Sequence, residues 1–300
     1  MAVNYNPSPT PTPPSSGRSW RQFKETISLL ILAFRPRRGR ADLVYNMLGT
    51  HNNLAEKSLF LNLGYWEHAK TYDEACTALA EELAKDAMIK DGDVILDAGC
   101  GFGEASAFWS QKYKLPKIWA LNITKSQLDV ARERWKALNV EFVEGSAMEM
   151  PFGANEFSAV LALESSFHFP DRLQFFREAM RVIKPGGTLA IADFFPLKQK
   201  VVLSQRVKEW IGRGLWQIPN ANWVGLDKVQ GQLQELGFEA VSLRDISPHV
   251  FRPFKTFAQK RIQDPVVAER VHPMLLKAWG GPHSGLERSQ YVILIVKKKK

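Results

Sequence analysis

The residues best suited to chemistry begin at Asp97. The run Val94-Ile-Leu-Asp97-Ala-Gly99-Cys100-Gly101-Phe-Gly103-Glu104 joins a short apolar strand to an acidic residue and then to alternating glycines. Glycine lets the backbone turn tightly and approach a ligand with no Cβ in the way. The helix that follows offers free N–H groups at its start. A dinucleotide loop of the G-x-G-x-x-G/A type needs a small third residue, and that position is Glu104. An acid at the strand end suits a ligand with an ammonium group and hydroxyls better than it suits a pyrophosphate.

Two further strand ends carry polar groups. Leu163-Glu164-Ser-Ser-Phe-His168-Phe-Pro-Asp171 places an acid and an imidazole on one short loop, and Ala190-Ile-Ala-Asp193 ends the next apolar run. His168 is a candidate general base because imidazole titrates near neutral pH. The alternative is that His168 caps the helix starting at Asp171 or orders the loop.

The glycine segment closely resembles motif I of the class I S-adenosylmethionine methyltransferases. The resemblance implies that Asp97, Gly99, Cys100, Gly101 and Gly103 line a cofactor site for S-adenosyl-L-methionine. At the next strand end, Leu121-Asn122-Ile123-Thr124-Lys-Ser-Gln127 has Asn122 where most of the class has an acid for the ribose hydroxyls. Asparagine still donates and accepts, and the absence of Asp or Glu disfavours NAD. Asn122 and Gln127 are assigned to the cofactor. For Ile123, packing under adenine and plain core stand side by side. Glu144-Gly-Ser146-Ala147-Met148 is similar to the adenine segment, with Ser146 where Asp is commoner and a backbone contact from Ala147 or Met148. The loop after Leu163 resembles that of sugar, sterol and tocopherol-type enzymes. That likeness implies a His168–Asp193 acid–base pair, and Glu164 against the cofactor's ammonium group or a substrate hydroxyl. Tyr65, in Gly64-Tyr65-Trp66, resembles an entry-segment tyrosine that reaches the cofactor.

These residues must be held by regular elements. Strands are expected at 94–96, 118–121, 140–143, 157–163 and 188–193, with helices at 104–113, 125–138 and 171–183 between them. Strands alternating with helices imply βαβ units and a parallel sheet. Later expectations are a helix near 199–213, a helix near 225–237, strands at 239–245 and 291–296, and partly helical sequence over 247–289. Family likeness makes this an α/β, Rossmann-like, doubly wound sheet of seven strands, the last antiparallel. An insertion at about 197–235, with Trp210, Trp216 and Trp223, is the expected cap over an apolar or aromatic small-molecule substrate. The domain expectation is a disordered tail over 1–17, N-terminal helices over 18–90 and the catalytic domain over 91–300.

Composition bounds the rest. The chain has 300 residues, 45% hydrophobic and 24% charged, so it can bury a full core. Its two cysteines form no disulfide framework and no metal-ligand spacing, and no metal is expected. The net charge is +9, but residues 18–40 carry +6 of it and Lys297–Lys300 another +4. A nearly neutral body argues against a nucleic-acid groove. The cysteine usage reads as intracellular and the chain is expected to be cytoplasmic; no apolar run reaches the roughly 20 residues of a membrane span. Two readings stand for residues 18–40: a helix packed on the main domain, or a peripheral membrane anchor. The expected activity is methyl transfer to a small, fairly apolar acceptor, first of all to a hydroxyl. C-methylation of a membrane lipid and a non-catalytic, cofactor-binding scaffold are the alternatives.

Overall fold

The computed structural model describes residues 51–198, 213, 218–280 and 288–300. The tail over 1–17, the basic apolar segment 18–40, Trp210, Trp216 and the helix expected near 199–213 lie outside those residues, apart from Arg213.

Seven strands form one sheet: β1 (Val94–Ala98), β2 (Lys117–Asn122), β3 (Val140–Glu144), β4 (Phe157–Leu163), β5 (Ile183–Pro196), β6 (Phe238–Asp245) and β7 (Ser289–Lys298). Their order is β3-β2-β1-β4-β5-β7-β6. The first five are mutually parallel, and β7 runs antiparallel to β5 and β6. The strand-end acids of the expected site therefore share one edge. The order reverses between β1 and β4, and ligands of open α/β sheets bind at that switch point.

Alternating residues of the central strands enter opposite layers. Ile95, Ala159, Leu161, Ala190, Ala192, Ile293 and Ile295 face one core, and Leu96, Val160, Ala162, Leu189, Ile191 and Leu294 face the other. Both faces are buried, so the strands read as near-continuous apolar runs. Helix α1 (Tyr72–Asp86) starts at a capping box in which Thr71 and Glu74 satisfy each other's backbone donors. It packs through Ala75, Leu79, Leu83 and, just past its end, Ala87. Helices α2 (Glu104–Lys112), α3 (Lys125–Arg134), α4 (Arg172–Val182) and α5 (Leu226–Glu235) follow their strands or precede β6. Between β6 and β7 lie α6 (Phe251–Arg261), α7 (Pro265–Arg270) and α8 (Pro273–Gly280).

Two expectations are corrected. The helix expected over 125–138 ends at Arg134, where Trp135 leaves it and its indole N–H donates to Phe102 O at 3.1 Å. Residues 51–71, expected to be helical, contain no helix. Their backbone donors are taken by distant carboxylates: Lys57 and Ser58 N–H by Asp73, Leu59 N–H by Glu104, and Leu63 N–H by Glu164. Among the described residues no helix is long and apolar enough to cross a membrane.

Candidate active site

The turn from β1 to α2 is built on three left-handed glycines, Gly99, Gly101 and Gly103, with φ of +84°, +55° and +74°. Gly99 N–H and Cys100 N–H both donate to Leu121 O, at 2.8 and 3.1 Å, which ties the turn to β2. A Cβ on Gly99 would lie 2.6 Å from Ser165 Cβ, and one on Gly103 would lie 2.5 Å from the Phe142 ring. A Cβ on Gly101 would meet nothing within 4 Å. Gly101 is thus the glycine that faces open space, and the other two let elements pack closely. Asp97, almost wholly buried, accepts from the Ser106 hydroxyl at 2.5 Å. Burial pushes its carboxyl up to about 7 against that hydrogen bond. Glu104 points away from the turn, into an ion pair with Arg134 at 2.9 Å.

At the end of β2, the Asn122 amide donates to Gln127 Oε1 at 2.8 Å and to Gly101 O at 3.4 Å. Gln127 Nε2 is buried with no partner among the described residues. Buried donors are seldom left unmet, so this one marks a place for a ligand acceptor. Ile123 is 57% exposed, which removes the plain-core reading. An exposed β-branched side chain beside the glycine turn is a surface for a flat apolar group. In the segment after β3, Ser146 Oγ accepts from Met148 N–H at 3.1 Å, so that donor is engaged within the turn and the expected backbone contact falls to Ala147.

The loop after β4 is held from three sides. Ser165 Oγ donates to Ala98 O at 2.6 Å. Asp193, fully buried, accepts from the Ser166 hydroxyl at 2.6 Å, from Phe167 N–H at 3.0 Å and from Phe194 N–H at 2.9 Å. The Arg172 guanidinium lies 3.8 Å from the same carboxylate. Burial raises Asp193 to about 6, opposed first by Arg172 and then by the hydrogen bonds. From within the expected insertion, the Asn222 amide donates to Phe167 O (3.1 Å) and Phe169 O (2.6 Å), and its oxygen accepts from Arg172 N–H (3.1 Å).

His168 sits half-buried on this loop, its ring 3.8 Å from that of Phe167. The expected direct His168–Asp193 pair is not formed, because Asp193 spends its oxygens on Ser166, Phe167 and Phe194. Asp193 anchors the loop that carries the imidazole. His168 does not cap α4 either: the Asp171 carboxylate does, accepting from Gln174 N–H at 3.1 Å.

Glu164 follows β4 with φ +45°, and its Oε1 accepts from Leu63 N–H at 2.7 Å and from the Tyr291 hydroxyl at 2.8 Å. Burial pushes this carboxyl up to about 8. Tyr65 is not brought to the glycine turn. Its hydroxyl donates to Glu67 at 2.5 Å and its ring lies 5.2 Å from His249. Burial, then Glu67, raises that phenol to about 12.

A sequence profile described as a methyltransferase domain matches residues 96–191, from the glycine turn through the loop after β4 and stopping just short of Asp193. The erythromycin 3''-O-methyltransferase of Saccharopolyspora erythraea is 35% identical over 234 residues, covering 75% of this chain and 76% of that protein. The chain belongs to the class I S-adenosylmethionine-dependent methyltransferases. The 27-O-demethylrifamycin SV methyltransferase of Amycolatopsis mediterranei is also 35% identical, over 68% of this chain and 75% of its own length. The solved cyclopropane synthase of Mycobacterium tuberculosis shares the fold, with TM-score 0.69 and 14% identity over 92% of this chain and 98% of that one.

The methyltransferase residues fit S-adenosyl-L-methionine, the cofactor of this enzyme class. Asp97 and the open face of Gly101 suit the methionine part, Gln127 Nε2 a ribose hydroxyl, and Ile123 with Ala147 N–H the adenine. Asp97, almost wholly buried beside the glycine turn and with no cation partner among the described residues, favours a ligand bearing positive charge. Sequence reading missed Tyr291, Ser166, Arg172 and Asn222. Tyr291 lies inside an apolar strand run, and nothing local distinguishes its hydroxyl from core.

Proposed function

We propose that this enzyme O-methylates a hydroxyl of a small, largely apolar molecule. The observation that carries the reading is the likeness to two relatives whose names specify methylation at an oxygen. The surroundings of the loop support it. Phe167 meets Phe194 at 4.4 Å, Phe251 meets Tyr291 at 6.0 Å, and Trp66 meets Phe257 at 4.8 Å. Trp66, Phe251 and Phe257, only partly buried against this packed cluster, suit an apolar molecule carrying one reactive hydroxyl. No observation favours lipid C-methylation or a non-catalytic scaffold.

Bound S-adenosylmethionine supplies a sulfonium-activated methyl group. Asp97, Gly101 and Gln127 fix where that group lies, and the loop after β4 faces it across the switch point. Alignment and exclusion of water then provide much of the acceleration. In this reading His168 orients the acceptor hydroxyl from a loop made rigid by Asp193 and Asn222.

The test is transfer of label from methyl-labelled S-adenosylmethionine to a panel of hydroxylated macrocycles and phenols. Label recovered as a methyl ether supports the reading. Label on carbon or nitrogen sinks it.

A further inference from the structure

We propose that Glu164 is the base for the acceptor hydroxyl, acting through its free carboxylate oxygen, Oε2. The inference rests on the O-methylation reading. As the acceptor oxygen's lone pair forms the new carbon–oxygen bond, the carbon–sulfur electron pair stays with sulfur and the hydroxyl proton passes to Glu164.

Four observations point to this residue. The chain leaves β4 in a left-handed conformation at Glu164 itself, which is uncommon for a side chain of this size. Its N–H donates to Ala192 O at 2.8 Å, which fixes that turn. One carboxylate oxygen is then clamped from two distant places, by Leu63 N–H and by the Tyr291 hydroxyl. The other has no partner among the described residues, and Glu164 is only half-buried. The rival acids are committed elsewhere: Asp193 is fully buried on three donors, and Asp97 holds Ser106.

The charges facing Glu164 come from several elements. Asp193 on β5 raises its proton affinity, and the Tyr291 hydroxyl on β7 lowers it. Tyr72 and Cys76 on α1 face it as neutral groups, their own ionisation opposed first by burial. Burial remains the largest cause of its rise to about 8, which leaves a base matched to a near-neutral working pH. Tyr291 is a positioning residue, because its hydroxyl favours the ionised carboxylate.

The test uses the full chain with 13C-labelled glutamate side chains, titrated by NMR alone and with S-adenosylhomocysteine. Glu164→Gln identifies the Glu164 signal. Its midpoint is expected well above that of surface glutamates, and Tyr291→Phe is expected to move it up by about one unit. With an acceptor found by label transfer, Glu164→Gln is expected to lower kcat about 100-fold or more and remove the acid limb of the pH profile. Cofactor affinity should stay within about twofold. Tyr291→Phe should shift that limb upward by the same amount as the NMR midpoint. A Glu164 signal that titrates like a surface glutamate and ignores Tyr291→Phe overturns the proposal. So does a Glu164→Gln enzyme that keeps its rate and its acid limb. Failure of the O-methylation reading looks different: the wild-type enzyme itself puts no label on oxygen.

Discussion

Gly99, Gly101 and Gly103 look alike in sequence and do different work. All three are left-handed, a conformation that costs an alanine about 1–2 kcal/mol. At Gly99 and Gly103 the added Cβ also enters occupied space, 2.6 Å from Ser165 and 2.5 Å from Phe142, and overpacking adds about 1–3 kcal/mol. Gly101→Ala escapes that second cost, and its methyl group enters the open space proposed for the cofactor's methionine part. The expected result is a separation of effects. Gly99→Ala and Gly103→Ala lower the denaturation midpoint more than Gly101→Ala does, while Gly101→Ala loses most affinity for S-adenosylmethionine by calorimetric titration. Equal stability losses in all three, or a Gly101→Ala protein with wild-type affinity, would contradict the assignment. Gln127→Ala belongs to the same scale: losing the buried donor should weaken S-adenosylmethionine binding about tenfold, for a hydrogen bond worth about 1 kcal/mol or slightly more.

The element that sets the acceptor side is the loop from Ser165 to Asp171, and its shape comes from outside it. Asp193 and Asn222 supply four of its anchoring hydrogen bonds, three of them to backbone groups of Phe167 and Phe169. A buried backbone group left unsatisfied costs about 1–3 kcal/mol. Asn222→Ala is therefore expected to loosen the loop rather than unfold the domain. Amide hydrogen exchange should speed up at Phe167 to Phe169, and KM for the acceptor should rise with cofactor affinity unchanged. Unaltered exchange in that loop would show that Asn222 is not its clamp. This element also shows what the sequence could and could not reveal. Apolar runs such as Ala190–Ala192 and glycines at fixed spacing are local signals, so the strands, their number by family and the glycine turn were legible. The partners of Asp193 were not, because Ser166 and Phe167 reach it only once the loop is folded. Residues 51–71 were misjudged for the same reason: Asp73, Glu104 and Glu164 satisfy their backbone from beyond any local window. Tyr291 became visible only when the antiparallel register set it opposite Phe194, one residue from Asp193.

At the scale of the whole molecule, the buried acids make the fold sensitive to pH in a definite direction. Asp97, Glu104 and Asp193 have folded-state values raised to about 7, 7 and 6, and Glu164 to about 8, each chiefly by burial. An unfolded carboxyl titrates near 4. Between about pH 4 and pH 8 the native chain therefore holds more protons than the unfolded one, and stability falls as pH rises through that window. Below it neither state is ionised at these groups, and above it the cost of ionising all four in their native surroundings is present. Positive charge brought by the cofactor offsets that cost, because it favours the ionised form of the acids it faces. Thermal unfolding of the cofactor-free protein should thus shift to lower temperature between pH 6 and pH 8.5. Saturating S-adenosylmethionine should raise the midpoint more at pH 8.5 than at pH 6, and S-adenosylhomocysteine, which lacks the sulfonium charge, should show a smaller pH-dependent gain. Asp97→Asn should flatten the slope of the cofactor-free protein, since its amide does not titrate. A midpoint that rises with pH, or a gain from S-adenosylmethionine independent of pH, would mean that these carboxyls are already ionised in the native crevice at neutral pH.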